Sequence, residues 1–219
     1  MADSLPELPP RAFAKADPSP DAGFYAEPRF VTHIDGGAIA AVTGLYRRLF
    51  PAGGTVLDLM SSWVSHLPDD VEYAEVIGHG MNAEELAANP RLSRWFVQDL
   101  NRDPALPLAG ASVDAAAICV SIQYLQRPVE ALREVARVLR PGGVVAIAFS
   151  NRCFPTKAVA IWQALEGPDQ CGLVSLYLRR AGFPSVEALE LAPPGRWGSD
   201  PLWAVVGRTA AGEDDAGRG

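Results

Sequence analysis

Asp58, Ser61 and Ser62 stand close together at the end of a short apolar run, Thr55 to Leu59. Such a run is typical of a buried central strand, and in open parallel sheets ligands bind beyond the carboxyl ends of the strands. A carboxylate and neighbouring hydroxyls at that edge could bind a polar ligand. The spacing therefore predicts a ligand site directly after the first strand.

Two histidines could supply a general base at the same edge, because an imidazole exchanges protons near neutral pH. His66 lies seven residues past the first strand, on a short helix predicted to begin at Ser61, and His79 lies at the end of the second strand. The alternative for each is a turn or helix-face histidine that is hydrogen-bonded to the backbone. A serine nucleophile is not indicated, since no G-x-S-x-G motif surrounds Ser61, Ser62 or Ser65.

Tyr25, Arg29 and His33 precede the predicted sheet and are spaced four residues apart. If this segment is helical, the three side chains share one face and could contact a substrate. Pro28 interrupts such a helix. The alternative interpretation is an amphipathic cover for the core.

Asn151, Arg152 and Lys157 follow the predicted fifth strand. Loops at strand ends carry function more often than the frame does, and Arg152 or Lys157 could bind an anionic substrate. Alternatively, Thr156 simply caps a helix over residues 157–165. Cys153 is interpreted as a small packing residue rather than a catalytic thiol.

Apolar runs alternate with helical patterns, which indicates a mostly parallel sheet with helices on both faces. Val113 to Val120 and Val144 to Phe149 are nearly continuous apolar runs, as expected of strands that are covered on both faces. Between them, residues 128–139 repeat apolar side chains at i, i+3, i+4 and i+7, which predicts an amphipathic crossover helix. The Pro-Gly-Gly sequence at 141–143 predicts a turn before the next strand.

The middle of the chain is predicted to hold two more strands, over residues 71–77 and 95–97. Asn82, followed by Glu85 three residues later, has the form of a helix cap with its reciprocal partner. Pro90 then ends the helix.

Length and composition predict one domain. The chain has 219 residues, of which 48% are hydrophobic, and we expect a single domain over 23–208 whose first part, 23–50, is a helical cover. Residues 1–22 and 209–219 lack apolar periodicity and are predicted to be flexible tails.

Charge and cysteine content exclude several classes of partner. A net charge of -7 opposes binding to a nucleic acid, and no apolar run is long enough to enter a membrane as a span. The three cysteines form no cluster of the zinc type, so no metal site is predicted. The N-terminus lacks the layout of a signal peptide, and we expect a cytoplasmic protein.

Taken in order, these motifs resemble those of class I S-adenosylmethionine-dependent methyltransferases, especially the small-molecule group called type 11. The resemblance spans roughly residues 50 to 208 and rests on Val56-Leu57-Asp58-Leu59, Gln98-Asp99-Leu100, Val113-Asp114-Ala115 and the run from Glu134 to Gly143. The family implies a doubly wound α/β fold, with a mostly parallel sheet of seven strands, helices on both faces and an antiparallel last strand. Val186 to Leu191 and Leu202 to Gly207 resemble its final hairpin.

The resemblance implies S-adenosyl-L-methionine as the cofactor and a small-molecule acceptor. Asp99 occupies the family's acidic position near the adenine amino group, and Leu100 would flank the ring. The cofactor-binding residues that the resemblance implies are Asp58, Met60, Ser61, Ser62, Gly80, Met81, Asn82, Asp99, Leu100, Val120 and Tyr124.

The loop after the first strand departs from the family. Members have an acidic residue followed by glycines at alternate positions, whereas residues 58–64 of this chain contain no glycine. The acidic residue that normally closes the second strand is replaced by Gly80. An NAD-dependent oxidoreductase is not indicated either, because no G-x-G-x-x-G motif follows the first strand.

Two hypotheses follow from the altered loop. In the first, the hydroxyls of Ser61 and Ser62 stand at the start of a helix and hold the carboxylate of the cofactor, while Asn82 replaces the lost acid. In the second, Met60 and Trp63 fill the crevice, and the protein is a non-catalytic scaffold or binding module.

Methyl transfer would demand little of the catalytic side chains. The cofactor is already activated, so the protein mainly orients the reactants and excludes water. A hydroxyl acceptor also needs a base, for which His66 is a candidate. Tyr124 follows the fourth strand, where family members often contact cofactor or acceptor, and its alternative is a core aromatic.

Overall fold

The computed structural model describes residues 5–9, 11–193 and 200–212. A short 3-10 turn, Ile122–Tyr124, follows the fourth strand. The helices and strands are, in chain order, α1 Asp21–Phe24, α2 Gly36–Leu49, β1 Thr55–Leu59, β2 Glu75–Gly80, α3 Ala83–Ala88, β3 Arg94–Val97, β4 Val113–Cys119, α4 Pro128–Val138, β5 Leu139–Phe149, α5 Ala160–Gln163, α6 Gly167–Ala181, β6 Ser185–Ala192 and β7 Leu202–Arg208.

The strands form one seven-stranded sheet in the order β3-β2-β1-β4-β5-β7-β6. Strands β1 to β5 pair in parallel, and β7 is antiparallel to both of its neighbours, β5 and β6. This arrangement confirms the predicted doubly wound sheet with an antiparallel last strand. The connectivity reverses between β1 and β4, so the carboxyl ends of these two strands bound a crevice.

Apolar side chains cover both faces of the sheet. On one face, Leu57 of β1 belongs to a buried cluster with Leu132 of α4 and Val174 of α6. On the other face, Val56 of β1 belongs to a second cluster with Val42 of α2. Helices therefore lie on both faces, as predicted, and this explains why β1, β4 and β5 read as continuous apolar runs.

Two predicted strand boundaries shift. β2 covers residues 75–80 rather than 71–77, because the backbone at Glu72 and Ala74 bonds instead to the Gly53–Gly54 turn. β5 begins at Leu139, so the Pro-Gly-Gly sequence lies inside the strand rather than in a separate turn. Gly142 takes a φ of 75° there, a conformation that suits glycine.

Residues 61–74 form no helix, although the sequence predicts one beginning at Ser61. The hydroxyls of Ser61 and Ser65 turn inward to the Asp58 carboxylate, which favours an irregular backbone. Pro68 also lacks the amide hydrogen that a continuing helix would use. His66 therefore lies in a loop.

The N-terminal cover is only partly helical. Asp35 caps α2, since its Oδ1 accepts a hydrogen bond from the backbone N–H of Ala38 at 2.8 Å. Residues 25–35 are irregular, as expected because Pro28 interrupts a helix. Tyr25, Arg29 and His33 therefore do not share a helix face.

Residues 11–22 pack against the domain, in contrast to the flexible tail that composition predicts. Ala12 is buried, and Lys15 forms a β-bridge with Val159. Residues 1–4, 10, 194–199 and 213–219 lie outside the described part of the chain, and they include most of the predicted C-terminal tail. Among the described residues, no helix has the length and apolar character of a membrane span.

Candidate functional site

A cavity of about 300 Å³ opens at the carboxyl ends of β1 to β4. It lies where the connectivity reverses, and its volume is at the lower end of the range of about 300 to 1,000 Å³ for small-molecule sites. Asn151 and Lys157 are predicted site residues that do not line it. The predicted residues that do line it are Tyr25, Arg29, His33, Asp58, Met60, Ser61, Ser62, His66, His79, Gly80, Met81, Asn82, Asp99, Leu100, Val120, Tyr124 and Arg152.

Asp58 forms part of the cavity floor and is only 6% exposed. Its Oδ2 accepts hydrogen bonds from Ser61 Oγ at 2.5 Å and from Ser65 Oγ. Asn89 Nδ2 in turn donates to Ser65 Oγ at 3.0 Å. Burial raises the pKa of Asp58, while the two hydroxyl donors lower it. This carboxylate therefore organises the loop that follows β1.

The hydroxyls of Ser61 and Ser62 already have acceptors within the protein. Ser61 donates to Asp58, and Ser62 Oγ donates to Glu85 Oε2 at 2.6 Å. No helix begins at these residues, so no set of free helical N–H groups adjoins them. The part of the hypothesis that places these hydroxyls at a helix start is therefore wrong.

Met60 lines the cavity, whereas Trp63 turns away from it. Trp63 Nε1 donates to the backbone oxygen of Val31 at 3.1 Å, and its ring packs against Phe30 with centroids 6.3 Å apart. Met60 has a φ of 58°, in the left-handed region that non-glycine residues seldom adopt. The cavity remains open, which opposes the hypothesis that Met60 and Trp63 together fill the crevice.

Gly80 stands where the family has an acidic residue, and its surroundings explain the replacement. A Cβ at this position would lie 2.6 Å from the backbone oxygen of Ser61 and 3.2 Å from Cδ2 of Leu86. The Ser61 backbone is held in place, because its N–H donates to the oxygen of His79 at 2.6 Å. A side chain at position 80 would therefore displace the loop after β1.

Asn82 caps α3 rather than facing the cavity with free polar atoms. Its Oδ1 accepts from two N–H groups in the first turn of α3, and its Nδ2 donates to the backbone oxygens of Tyr25 at 2.9 Å and Ala26 at 3.1 Å. These contacts use the amide's hydrogen-bonding capacity, so Asn82 cannot also replace the lost acid. Glu85 does not complete a capping box, because its Oε1 accepts instead from the N–H of Arg29 at 2.7 Å.

His79 is a structural link between three strand ends. Its Nδ1 accepts from the N–H of Met60 at 3.0 Å, and its Nε2 lies 3.0 Å from the backbone oxygen of Gln98. Nδ1 is thus the acceptor and Nε2 carries the hydrogen, as in a neutral imidazole. Burial lowers the pKa of His79 to about 4. With both nitrogens engaged, His79 is not available as a base, and the backbone-bonded alternative holds.

Asp99 reaches the cavity from the turn after β3. Its Oδ1 accepts from the N–H of Asn101 at 2.9 Å, and its Oδ2 has no hydrogen-bond partner among the described residues. Asn101 is itself fixed, since its Nδ2 donates to Asp21 Oδ2 and to the oxygen of Tyr124, both at 3.0 Å. Leu100, 3% exposed, adds an apolar wall. Asp99 thus brings to the cavity a carboxylate with one oxygen that is not hydrogen-bonded to the described residues, next to an apolar side chain.

His66 and His33 both line the cavity, and their charges interact. Burial lowers the pKa of each histidine, and for His66 the neighbouring His33 lowers it further. Neither ring makes a hydrogen bond within the described residues. A neutral imidazole with a free nitrogen can accept a proton from a substrate.

Tyr124 is nearly buried and is held by the segment after β5. Its hydroxyl accepts from the N–H of Phe154 at 2.9 Å, and the two rings stack with centroids 5.9 Å apart. Burial raises the pKa of Tyr124 to about 12. The phenol therefore stays neutral near pH 7, where it can donate a hydrogen bond but cannot serve as a base.

Arg29 brings a positive charge into an aromatic part of the cavity wall. Its guanidinium carbon lies 4.5 Å from the ring centroid of Phe24 and 5.5 Å from that of Phe154. Its Nη2 also donates to the backbone oxygen of Phe24 at 2.8 Å. Arg152 adds a second cation, whose Nε pairs with Asp200 Oδ1 at 2.7 Å while 61% of the side chain stays exposed. This wall therefore suits an aromatic or anionic group.

Lys157 has a structural environment instead of the predicted substrate contact. Its side chain is fully buried, and its Nζ lies 2.9 Å from Asp17 Oδ2 and 3.4 Å from Asp21 Oδ1. Lys15 Nζ lies 2.5 Å from Asp21 Oδ2. A buried ammonium needs such partners. The two lysines therefore fix residues 15–21 against the cavity wall. Asn151 is exposed.

Sequence reasoning missed several residues that line the cavity. Burial on one face of α2 marks Tyr46 only as a core residue, and no local pattern brings Asp21 or Glu85 to the site. Ser121 lies two residues past the end of β4, as Asp99 lies two residues past the end of β3, so the signal that identified Asp99 could also have identified Ser121. The missed residues with polar or aromatic side chains include Asp21, Tyr46, Ser65, Glu85, Asn101, Ser121 and Phe154.

A family comparison supports the resemblance seen in the motifs. Residues 62–147 match a family model described as a methyltransferase domain, of the type 11 group. The match begins inside the loop that lacks glycines and ends within β5. It confirms that the chain resembles class I S-adenosylmethionine-dependent methyltransferases.

Solved structures share the fold at low sequence identity. The [4+2]-cyclase SpnF has a TM-score of 0.59 at 17% identity, over 78% of this chain and 81% of its own. A SAM-dependent methyltransferase from Aquifex aeolicus has a TM-score of 0.58 at 18% identity, over 80% of this chain and 92% of its own. Phosphoethanolamine N-methyltransferase 2 from Haemonchus contortus, in complex with S-adenosyl-L-methionine, has a TM-score of 0.58 at 14% identity, over 81% of this chain and 54% of its own. No curated protein sequence matches the chain. Because a cyclase shares the fold, the fold alone does not specify the reaction.

Proposed function

We propose that this protein binds S-adenosylmethionine in the cavity and transfers its methyl group to a small-molecule acceptor. The observation that carries the proposal is the open cavity at the carboxyl ends of β1 to β4, where Asp99 presents a carboxylate oxygen beside Leu100. The methyltransferase-domain match over residues 62–147 supports the same reaction class.

The residues of the cavity fit the adenosine part of this cofactor. Asp99 Oδ2 can accept a hydrogen bond from the adenine amino group, and Leu100 offers an apolar surface for the ring. Position 80 has no room for an acidic side chain, and the polar atoms of Asn82 are already hydrogen-bonded, so neither position supplies the lost acid. Glu85 lines the same wall, and its carboxylate has further lone pairs for those hydroxyls.

The bound cofactor supplies an activated methyl group. The protein's own residues would orient the acceptor and exclude water. His66, with a lowered pKa and no hydrogen bond among the described residues, can accept the proton of an acceptor hydroxyl. Tyr124 can donate a hydrogen bond that positions the acceptor but cannot remove its proton.

The acceptor would lie against the wall that holds Tyr25, Arg29, His33 and Arg152. Aromatic rings and two guanidinium groups there suit a small molecule that carries an aromatic or anionic group. We propose a cytoplasmic location as well, because Cys119, Cys153 and Cys171 are all free thiols.

Isothermal titration with S-adenosylhomocysteine, the demethylated product, tests the proposal. We expect micromolar binding by the wild type and roughly tenfold or greater weakening in Asp99→Asn, because that change removes a charged acceptor. Asp99→Asn preserves the oxygen that bonds to the N–H of Asn101. No binding by the folded wild type would contradict the proposal.

Asp103→Asn is the matched control. Asp103 Oδ1 accepts from the N–H of Ala105 at 3.0 Å, in the same kind of turn, but Asp103 does not line the cavity. We therefore expect wild-type affinity in this variant. An equal loss in both variants would show that turn structure or net charge, not a contact with adenine, explains the effect.

A further inference from the structure

An apolar surface lies at the mouth of the cavity. Among the described residues, four large apolar side chains are markedly exposed, and two of them, Phe30 and Val31, are adjacent, at 50% and 55% exposure. Val31 also lines the cavity, so it marks a place where the cavity meets solvent. Single exposed apolar residues are normal, whereas a cluster beside a cavity is typical of a binding surface. Together with Trp63, which contacts both, these residues are called the apolar rim.

The apolar rim is held rigidly. Trp63 Nε1 donates to the backbone oxygen of Val31 at 3.1 Å, and its ring meets the ring of Phe30 edge to face, with planes 79° apart. Glu85 joins the same two segments a second time. Its Oε1 accepts from the N–H of Arg29 at 2.7 Å, and its Oε2 accepts from the hydroxyl of the residue before Trp63 at 2.6 Å. A ligand that covers the rim therefore orders little of the protein.

The candidate base lies on the same wall as the rim. His66 lines the cavity and follows Trp63 by three residues. His33 follows Val31 by two residues, also lines the cavity and interacts electrostatically with His66. The two segments that form the rim thus remain neighbours further along the wall. An acceptor whose hydroxyl reaches His66 would have the rim beside its path to solvent.

The size of the cavity indicates that part of the acceptor stays outside it. A volume of about 300 Å³ is at the lower end for small-molecule sites, and the proposed function requires it to hold a cofactor as well as the reacting group of the acceptor. The rest of the acceptor would extend through the mouth. A protein partner fits less well, because stable interfaces bury about 800 Å² per partner and use about 20 to 30 residues on each side, far more than the rim provides.

We propose that the apolar rim binds an alkyl or aryl extension of the acceptor. The substrate is then an amphiphilic molecule, whose hydroxyl enters the cavity and whose apolar part covers Phe30 and Val31. The inference rests on the proposed function and narrows its acceptor from small molecules in general to hydroxyl compounds with an apolar extension. Burial of apolar surface on the rim would supply the affinity for that extension.

The test uses two phenols that differ by three methylene groups, 4-methylphenol and 4-butylphenol. A fully buried methylene improves affinity about fourfold, and one with half of its surface covered about twofold. We therefore expect 4-butylphenol to bind about eightfold more tightly than 4-methylphenol, in isothermal titrations of protein saturated with S-adenosylhomocysteine. In the double variant Phe30→Ser/Val31→Ser, this ratio should fall to about twofold or less.

Trp95→Ser/Val97→Ser is the matched control. These two residues of β3 are also exposed, at 41% and 48%, but neither lines the cavity. The control should keep the wild-type ratio between the two phenols. Phe30→Ser/Val31→Ser should remain folded, because both side chains are half exposed and Trp63 bonds to the backbone oxygen of Val31, which the substitution preserves.

Each other outcome has a distinct meaning. If the rim variant keeps the wild-type ratio, or if the wild type binds neither phenol or both equally, the rim is refuted as an acceptor site while binding of S-adenosylhomocysteine stands. If the rim variant dissociates a dimer in sedimentation experiments and its phenol ratio is unchanged, the rim is an interface between copies of the chain, and the proposal is again refuted. If the wild type does not bind S-adenosylhomocysteine, the proposed function fails and the assignment of the rim fails with it.

Discussion

Replacement of Gly80 by alanine should destabilise the protein, although alanine is normally the better residue in a strand. The added Cβ would lie 2.6 Å from the backbone oxygen of Ser61 and 3.2 Å from Cδ2 of Leu86. Contact between carbon and oxygen normally begins above 3 Å, and the Ser61 backbone is fixed by its hydrogen bond to His79. Overpacking of this kind costs about 1 to 3 kcal/mol, from which the loss of glycine's freedom in the unfolded chain recovers about 0.5 to 1 kcal/mol.

At the middle of the two ranges, the net loss is about 1 kcal/mol. For a domain of this length, that corresponds to a decrease in Tm of about 2 to 4 °C. Differential scanning calorimetry can resolve this change. Gly80→Asp, which restores the acidic residue of the family, should be at least as destabilised and should not improve binding of S-adenosylhomocysteine.

Gly44→Ala is the matched control, because its Cβ would meet only Nη1 of Arg48, at 3.9 Å. Gly44 lies inside α2, where alanine should stabilise the protein by about 0.5 to 1 kcal/mol. The two substitutions are thus expected to change Tm in opposite directions. A Tm of Gly80→Ala equal to or above the wild-type value would refute the steric explanation for the missing acid.

Three further predictions concern stability. The pKa of His79 is lowered to about 4 in the folded protein, from about 6.5 in the unfolded chain, so the unfolded chain binds the proton more readily. The free energy of unfolding should therefore fall by roughly 2 to 3 kcal/mol as the pH is lowered from 6.5 to 4. Urea titrations of His79→Gln across this range should show a weaker dependence on pH, and an unchanged dependence would contradict the role given to His79. Lys157→Met should lower the free energy of unfolding by about 3 kcal/mol. This is at the low end for a broken buried ion pair, because Lys15 still neutralises Asp21. A variant of wild-type stability, with residues 11–22 resistant to protease, would contradict the role of Lys157 in holding this segment. Ser65→Ala should cost about 1 to 3 kcal/mol in urea unfolding, because Asp58 loses a buried donor, and a neutral result would indicate that water replaces the hydroxyl.

Local patterns predicted a mostly parallel sheet, whereas its seven strands and its antiparallel last strand were implied by the family resemblance. β1 and the start of β4 fall where continuous apolar runs place them, because a strand covered on both faces needs apolar residues at every position. The crossover helix α4 likewise follows its i, i+3, i+4 periodicity. Ligand residues at strand ends could also be predicted, since the parallel topology brings those ends to one edge.

Contacts between distant parts of the chain could not be predicted in this way. The fate of Ser61 and Ser62 depends on Asp58 and on Glu85, and no helical or strand periodicity records such pairs. Lys157 has the sequence context of a loop cation, but Asp17 and Asp21, more than a hundred residues earlier, bury and neutralise it. Side-chain pairing across the fold thus decided which polar residues remain available to a ligand.

A crystal structure of the protein with S-adenosylhomocysteine tests the central claim most directly, which is that this cavity binds the cofactor without a glycine loop. We predict the adenine amino group at hydrogen-bonding distance, about 3 Å, from the carboxylate of Asp99. Binding elsewhere on the molecule, or a cavity that stays without ligand at saturating concentration, would contradict the claim.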